Sequence, residues 1–476
     1  MNAKNRIRDI IDAGAADFCA LSDRLWDMAE VRFALPRSAD LLVAAAEKEG
    51  FTVTRGVAGM DDAFIAEWGK GSPRIGVLAE YDALANMSQE AGCCEKKAVT
   101  AGAPGHACGH NLIGTGAVAG AFGIKRYMEE AGLTGTVVLF GCPAEESGYG
   151  KSFMARDGVF DDIDAALTWH PMENNAVWSG GTLAVFLSYF RFRGTAAHAA
   201  AAPHLGRSAL DAAELMNIGV QFLREHVIDS ARIHYSYIDA GGPSGNVVQP
   251  TAELHYTVRA PKLVQLREIY DRVVKVARGA AMMTDTELEI VFDAACCDYI
   301  PNHVLSVAMN DNFRTLLPMT IPAADEALVR RLSDSQDATA RQAAPARIRQ
   351  AHPDWTAEQV EEQAARPFRG DLDDIDFKGL LTASTDVGDV SWVTPTAQIM
   401  LACEPQGTPP HSWQWVANGK SALAHQGLLT AGKAIAMTAF DILNDPDLLA
   451  RAKAEHKGTF GQAPFVSPIP PEVKPR

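Results

Sequence analysis

Apolar residues at Ile7, Ile10, Ile11, Ala15, Phe18, Leu21 and Leu25 recur at helical spacing, which predicts an amphipathic helix near the start of the chain. Further on the pattern changes to short, uniformly apolar runs at 74–79, 136–140 and 165–169. Runs of that length predict strands buried on both faces. A helical pattern over about 111–130 separates the first two runs, and another helical segment separates the second from the third. Alternating strands and helices predict an α/β fold, with a mainly parallel sheet covered by helices.

Near residue 182 the rhythm changes again. Strand-like segments at 185–193, 231–239, 251–259 and 287–292 alternate with helical ones from Ser208 and over about 264–281. The order is βαββαβ, a ferredoxin-like pattern, and it predicts a compact domain inserted into the first. The expected organisation is therefore 1–181 as the first part of the main domain, 182–300 as the insert, and 301–476 as the second part. Surface helices are expected over 325–370, a strand over 398–402 and a helix over about 419–443. The tail from Lys457 carries Pro464, Pro468, Pro470, Pro471 and Pro475, and is expected to be extended or loosely ordered.

Composition narrows the functional classes. A length of 476 residues favours two domains over one core. A formal charge of −16 argues against nucleic acid or an anionic membrane as the main partner. No apolar run approaches the roughly 20 residues of a membrane helix, and the first residues lack the apolar core of a signal peptide. The eight cysteines include the neighbours Cys93-Cys94 and Cys296-Cys297 and have no framework spacing, so a reducing cytoplasm is expected.

The chemistry-bearing residues sit where the apolar runs stop. Cys108 and His110 lie in a Gly-rich loop that opens a helix, Glu145-Glu146 follow the run at 136–140, and His170 follows the run at 165–169. In parallel sheets, ligands bind beyond the carboxyl ends of the strands, which is where Asp82 also falls. Thiolate, imidazole and carboxylate together suit a divalent transition metal. A carboxylate beyond those needed as ligands is what a metal-assisted hydrolase uses as a base. Taken singly, each residue also has an ordinary reading: Cys108 as a buried thiol, the glutamates as a solvated helix start, His170 as a strand cap. His411 lies between two prolines and two tryptophans, and His425, in a predicted helix, competes with it. His106 reads as a loop histidine. Arg259, ending a strand of the insert, is a candidate partner for a substrate carboxylate. Ser384, Thr385 and Asp386 either line a pocket or form a turn.

Together the Gly105–Asn111 motif, the glutamate pair, Trp169-His170-Pro171 and the run from Gly194 to Ala199 resemble the metal-dependent peptidases and amidohydrolases that include aminoacylases, hippurate hydrolases and auxin-conjugate hydrolases. The segments 384–392 and 411–415 resemble the p-aminobenzoyl-glutamate hydrolase branch. The resemblance implies two divalent metal ions, zinc or manganese, held by Cys108, His110, Glu146, His170 and His411. It implies Glu145 as the base and Asp82 as the support behind the ligands. It further implies that His198, with Asn246, reaches a neighbouring active site and stabilises the oxyanion. The implied substrate is a small N-acyl amino acid. The implied assembly is a homodimer formed through the insert, which would also act as a lid, with room for a second kind of protein chain. The chain departs from many relatives at Asn111, where they carry Asp; if that position serves the metal, affinity or preference should differ. Three alternatives stand beside this reading: a hydrolase of other N-acyl amino acids or dipeptides, a non-catalytic binding descendant, and a structural zinc protein, which the wide spacing of the ligands disfavours.

Overall fold

A computed structural model describes residues 2–461 and 464–476. Eleven strands are found among them: β1 (Thr52–Arg55), β2 (Phe64–Lys70), β3 (Arg74–Glu80), β4 (Gly135–Cys142), β5 (Ala165–Met172), β6 (Ala176–Val177), β7 (Ala184–Arg193), β8 (Arg232–Asp239), β9 (Thr251–Ala260), β10 (Glu287–Cys296) and β11 (Thr396–Ala402). Seven form one sheet in the order β1-β2-β4-β3-β5-β11-β6. The four central strands, β4, β3, β5 and β11, run parallel, while β2 and β6 pair antiparallel at the flanks. The α/β class with a mainly parallel sheet is therefore present as the sequence predicts.

Strand periodicity explains why this sheet sits in the middle. On β3 and β4, Ile75, Val77, Val137 and Leu139 enter one core, while Leu78, Val138 and Phe140 enter the core on the opposite face. The helices His110–Ala131 and Ala422–Asn444 lie together on the first face, with Ala3–Ala13 and Ala15–Met28 beside them. Gly116 makes that approach possible, because a Cβ there would come within 2.5 Å of Trp169 Nε1. Helices Gly150–Arg156 and Val387–Val393 pack against each other on the other face.

The remaining four strands form an antiparallel sheet in the order β10-β7-β9-β8. Helices Ala209–Arg224 and Leu263–Thr284 cover one of its faces. Along β9, alternate residues Leu254, Tyr256 and Val258 are buried beneath them. β8 is an edge strand and is mostly exposed.

Three expectations are corrected, and one element is bounded more closely. The first helix is two, broken at Gly14, which ends one helix with two backbone hydrogen bonds and begins the next. The helix predicted over about 419–443 is present as Ala422–Asn444, where the Ser421 hydroxyl accepts from the Ala424 amide, and a separate short helix, Trp413–Asn418, precedes it. The tail is not loose: Lys457 lies in a helix ending at Phe460, Ile469 is buried, and the Pro470 and Val473 carbonyls accept from Arg156. His170 lies within β5 rather than beyond it, since the strand continues to Met172. Among the described residues, no helix is long and apolar enough to cross a membrane.

Candidate metal centre

Four loops and strand ends deliver the predicted ligands to one place. Gly109, in the left-handed conformation at φ 74°, turns the loop so that His110 starts its helix. A side chain there would also strike Pro171, with its Cβ 2.8 Å from the ring. Glu145 and Glu146 follow β4 by way of Ala144, itself at φ 63°, and His411 is held at φ 55° with its amide on the Ala107 carbonyl. Left-handed backbone at two non-glycine residues is local strain of the kind that gathers at functional sites.

The resulting distances are short. Cys108 Sγ lies 3.5 Å from His170 Nε2, and His411 Nε2 lies 3.4 Å from Glu146 Oε2. His110 Nε2 lies 3.8 Å from both Glu145 Oε2 and Glu146 Oε1, and 3.6 Å from Glu80 Oε2. Three overlapping groups have all their ligand atoms within 4.8 Å of one another: Cys108–His110–His170, Cys108–Glu146–His411 and Glu80–His110–Glu145.

Hydrogen bonds fix the imidazole tautomers. His110 Nδ1 donates to Asp82 Oδ1 at 2.9 Å and His170 Nδ1 donates to the Pro171 carbonyl at 2.7 Å. Both rings therefore turn Nε2 toward the cluster, the arrangement a metal-ligating histidine requires. Asp82 also accepts from the Glu146 amide at 3.0 Å, so one buried carboxylate orients a histidine and anchors the glutamate loop.

The charge balance points the same way. Burial lowers the His170 pKa to about 4, with His110 adding to the effect, which keeps the ring neutral. Burial raises Glu145 well above the ordinary carboxylate range, and the neighbouring Glu80, Glu146 and Asp386 raise it further. Lys151 pairs with Glu80 and Asp386, and Asp82, Glu145 and Glu146 add further negative charge around His110. His110 Nε2 and Glu146 Oε1 are buried without any hydrogen-bond partner. Orphaned buried donors to a cation, surplus negative charge and a thiol–imidazole–carboxylate set all fit one or more divalent metals.

The other candidates lie elsewhere. His106 Nε2 bonds the Leu25 carbonyl, and His425 pairs with Asp23 at 2.9 Å in its helix. Asn111 is buried and donates to Ser22 Oγ and the Gly419 carbonyl, so its side chain supports the Ala15–Met28 helix and the 419 turn rather than the cluster. Arg259 donates to Ser384 Oγ at 3.3 Å. Asp386, beside Ser384, is fully buried and pairs with Lys151. His198 and Asn246 are exposed neighbours joined through the Ala199 amide and Asn246 carbonyl. Among the described residues, no hydrogen bond or ion pair joins either of them to the ligand cluster.

Two residues at the site escaped the sequence reading. Glu80 lies two positions before Asp82 at the end of β3, a polar pair at strand spacing that signals a shared face. Lys151 is fully buried in the short helix Gly150–Arg156, and nothing local in the sequence marks its partners, Glu80 and Asp386.

Residues 76–418 match the sequence model of Peptidase family M20/M25/M40. One of the p-aminobenzoyl-glutamate hydrolase polypeptides of Escherichia coli (strain K12) is 43% identical over 98% of both chains. An Xaa-Arg dipeptidase from Mus musculus is 29% identical over 95% of this chain and 92% of its own. A dinuclear metal-binding M20 peptidase from Bacillus subtilis shares the fold at TM-score 0.55 and 16% identity, over 91% of this chain and 99% of that one. Family match and full-length identity agree with the site built above: this chain belongs to the M20 peptidase family and is a hydrolase of amide bonds.

Proposed function

We propose that the protein hydrolyses the amide bond of p-aminobenzoyl-glutamate, releasing p-aminobenzoate and glutamate, with two divalent metal ions, zinc or manganese. The observation that carries this reading is a carboxylate base within a cluster of five ligand-type side chains, in a chain 43% identical over its full length to a p-aminobenzoyl-glutamate hydrolase polypeptide. Cys108, His110, Glu146, His170 and His411 would hold the metals, with Asp82 orienting His110. When bound, such ions polarise an amide carbonyl and lower the pKa of water to about 7.

The chain's own residues do the rest. Glu145 takes the proton from the attacking water as the carbon–oxygen bond forms. It then passes that proton to the departing amine as the carbon–nitrogen bond breaks. His198 Nδ1 accepts from the amides of Ala200 and Ala201, at 3.2 and 3.1 Å, so its proton resides on Nε2. That leaves one N–H free to donate to the developing oxyanion, with Asn246 alongside. Arg259 holds a substrate carboxylate. Trp178 packs edge-on against His170, with ring centroids 6.1 Å apart, and lines a cavity of about 250 Å³ together with Met172, Leu380, Leu381 and Met400. An aromatic acyl group suits that wall.

Residues 182–300 act as an inserted ferredoxin-like unit, lid and dimer contact, between the two parts of the catalytic domain at 1–181 and 301–476. Its strand order β10-β7-β9-β8 supports this. Exposed Ile218 and Phe222 lie on the helix bordering the open edge of β8, where Tyr235, Tyr237 and Ile238 are also exposed, and this surface would meet a second copy. The Escherichia coli hydrolase carries two different polypeptides, both similar to this chain, which supports a second kind of polypeptide as partner here. The eight cysteines are all free, which supports a cytoplasmic location.

Purified protein stripped of metal and resupplied with manganese or zinc should release p-aminobenzoate from p-aminobenzoyl-glutamate. Xaa-Arg dipeptides and other N-acyl amino acids run in parallel as the second reading, which the dipeptidase relative favours. Turnover confined to those substrates would reject the narrow assignment and keep the amidohydrolase. Absence of turnover on every substrate, from folded and metal-loaded protein supplied with a candidate partner polypeptide, would reject both.

A further inference from the structure

We infer that Tyr149 is a positioning residue: through its ring, the sheet β10-β7-β9-β8 holds the loop that carries Glu145 and Glu146. The inference rests on the proposed reading of Glu145 as the base, and it adds a residue that none of the motifs contains.

The loop closes on itself. Ala144 and Tyr149 both take left-handed backbone, at φ 63° and 56°. The Ala144 carbonyl accepts from the Gly148 and Tyr149 amides at 2.9 and 2.6 Å, so Glu145 and Glu146 lie in a turn bracketed by these two residues. Tyr149 is then the N-cap of the helix Gly150–Arg156. An aromatic residue at positive φ is strained, and glycine would take that conformation freely. The chain places glycine on both sides, at Gly148 and Gly150, but not there. The side chain is what the position needs.

Tyr149 is 5% exposed and packs with Val185, Leu187, Ala294 and Cys296 in a small cluster apart from the two main cores. Those four residues are two directly opposed pairs on β7 and β10, Leu187 with Ala294 and Val185 with Cys296. Their neighbours Phe186 and Ala295 point the other way, into the core shared with helices Ala209–Arg224 and Leu263–Thr284. The two pairs therefore lie on the face of the sheet that those helices leave bare. Tyr149 is the one member of the cluster that comes from outside the sheet.

The same face carries Arg259, the cross-strand partner of Val185 on β9. Its guanidinium donates to Ser384 Oγ and forms no ion pair among the described residues. Burial holds the Tyr149 hydroxyl well above its ordinary pKa, with Cys296 and Glu145 raising it and Arg259 lowering it. The phenol is thus within electrostatic reach of both the base and the arginine. One ring ties the loop of the base to the row of the sheet that bears the arginine for the substrate carboxylate. A base must stand within hydrogen-bond reach of the proton it takes, and a misplacement of about 1 Å can cost roughly 10²-fold in rate.

Steady-state kinetics of metal-loaded, full-length variants tests this, on whichever substrate of the panel above wild type turns over. Tyr149→Gly keeps the left-handed backbone accessible and removes the ring. It should lower kcat by about tenfold or more and leave KM within about threefold, because Arg259 stays on its strand. Tyr149→Phe, which keeps the ring, should stay within about threefold of wild type in both. Leu187→Ala, on the other side of the contact, should also lower kcat, and the double variant Tyr149→Gly/Leu187→Ala should lose no more than Tyr149→Gly alone. Wild-type kcat in folded Tyr149→Gly, a Phe variant as slow as the Gly variant, or additive losses in the double variant would each overturn the inference. If Tyr149→Gly does not fold as judged by circular dichroism, Leu187→Ala decides: unchanged kcat in that variant would overturn the inference. Glu145→Gln is the control for the underlying reading. If it is as active as wild type, the base assignment falls and Tyr149 with it; if it is slow while Tyr149→Gly is not, the Tyr149 inference falls alone.

Discussion

At the scale of single residues, the site depends on which nitrogen or oxygen each side chain turns inward. His198 is exposed, yet its two backbone donors fix the proton on Nε2, as its proposed role of oxyanion donor requires. His198→Ala should lower kcat by about 10²–10³-fold with little change in KM, as expected for a contact made in the transition state. Equal loss in binding and turnover, measured by steady-state kinetics, would assign it to substrate positioning instead. Asn111 makes the opposite case. Its amide donates to Ser22 Oγ and to the Gly419 carbonyl in a buried pocket, so a carboxylate there would face a carbonyl with nothing to donate. Asn111→Asp should cost about 2 kcal/mol of stability or more. Its metal content, read by mass spectrometry of dialysed protein, should not change. A shifted metal preference would return this residue to the centre, where its motif position first placed it.

At the scale of elements, legibility followed periodicity. The runs that became β3, β4 and β5 were visible because burial on both faces leaves few polar interruptions. The hairpin β1–β2 was not, because its residues are half exposed and its pairing with β4 is settled across the sheet. Cys108, His110, the glutamates and His170 were legible because each ends or follows a strand or opens a helix. Lys151 was not, since its meaning lies in Glu80 and Asp386, contributed by β3 and by the turn before helix Val387–Val393. That helix also carries Asp389, which accepts from Ser152 Oγ and from the Cys297 amide just past β10. Burial raises Asp389 to about 7 despite those hydrogen bonds. In the unfolded chain it ionises near 3.8, so between 3.8 and about 7 the folded state holds one proton more. Its contribution to stability therefore falls as pH rises through that window. Asp389→Asn, which keeps an acceptor oxygen but cannot ionise, should melt progressively closer to, or above, wild type between pH 5 and pH 8. A difference in Tm independent of pH would contradict the assignment.

At the scale of the molecule, the proposed oxyanion donors lie apart from the ligand cluster. The cluster lies at the ends of the parallel strands, whereas His198 and Asn246 lie on the four-stranded unit without contact to it among the described residues. On the proposed reading, a second copy that meets the first along β8 and the Ile218–Phe222 face brings its His198 to the cluster. Phe222→Glu should yield monomers in light scattering and lose activity together with His198→Ala. Monomers of full activity would place His198 outside the reaction.

The most direct test concerns Glu145. Glu145→Gln should keep both metal equivalents, bind substrate as wild type does, and hydrolyse it about 10³-fold more slowly, because a base has been lost and no ligand. Loss of a metal equivalent on that substitution, or turnover at the wild-type rate, would contradict the assignment of Glu145 as the base.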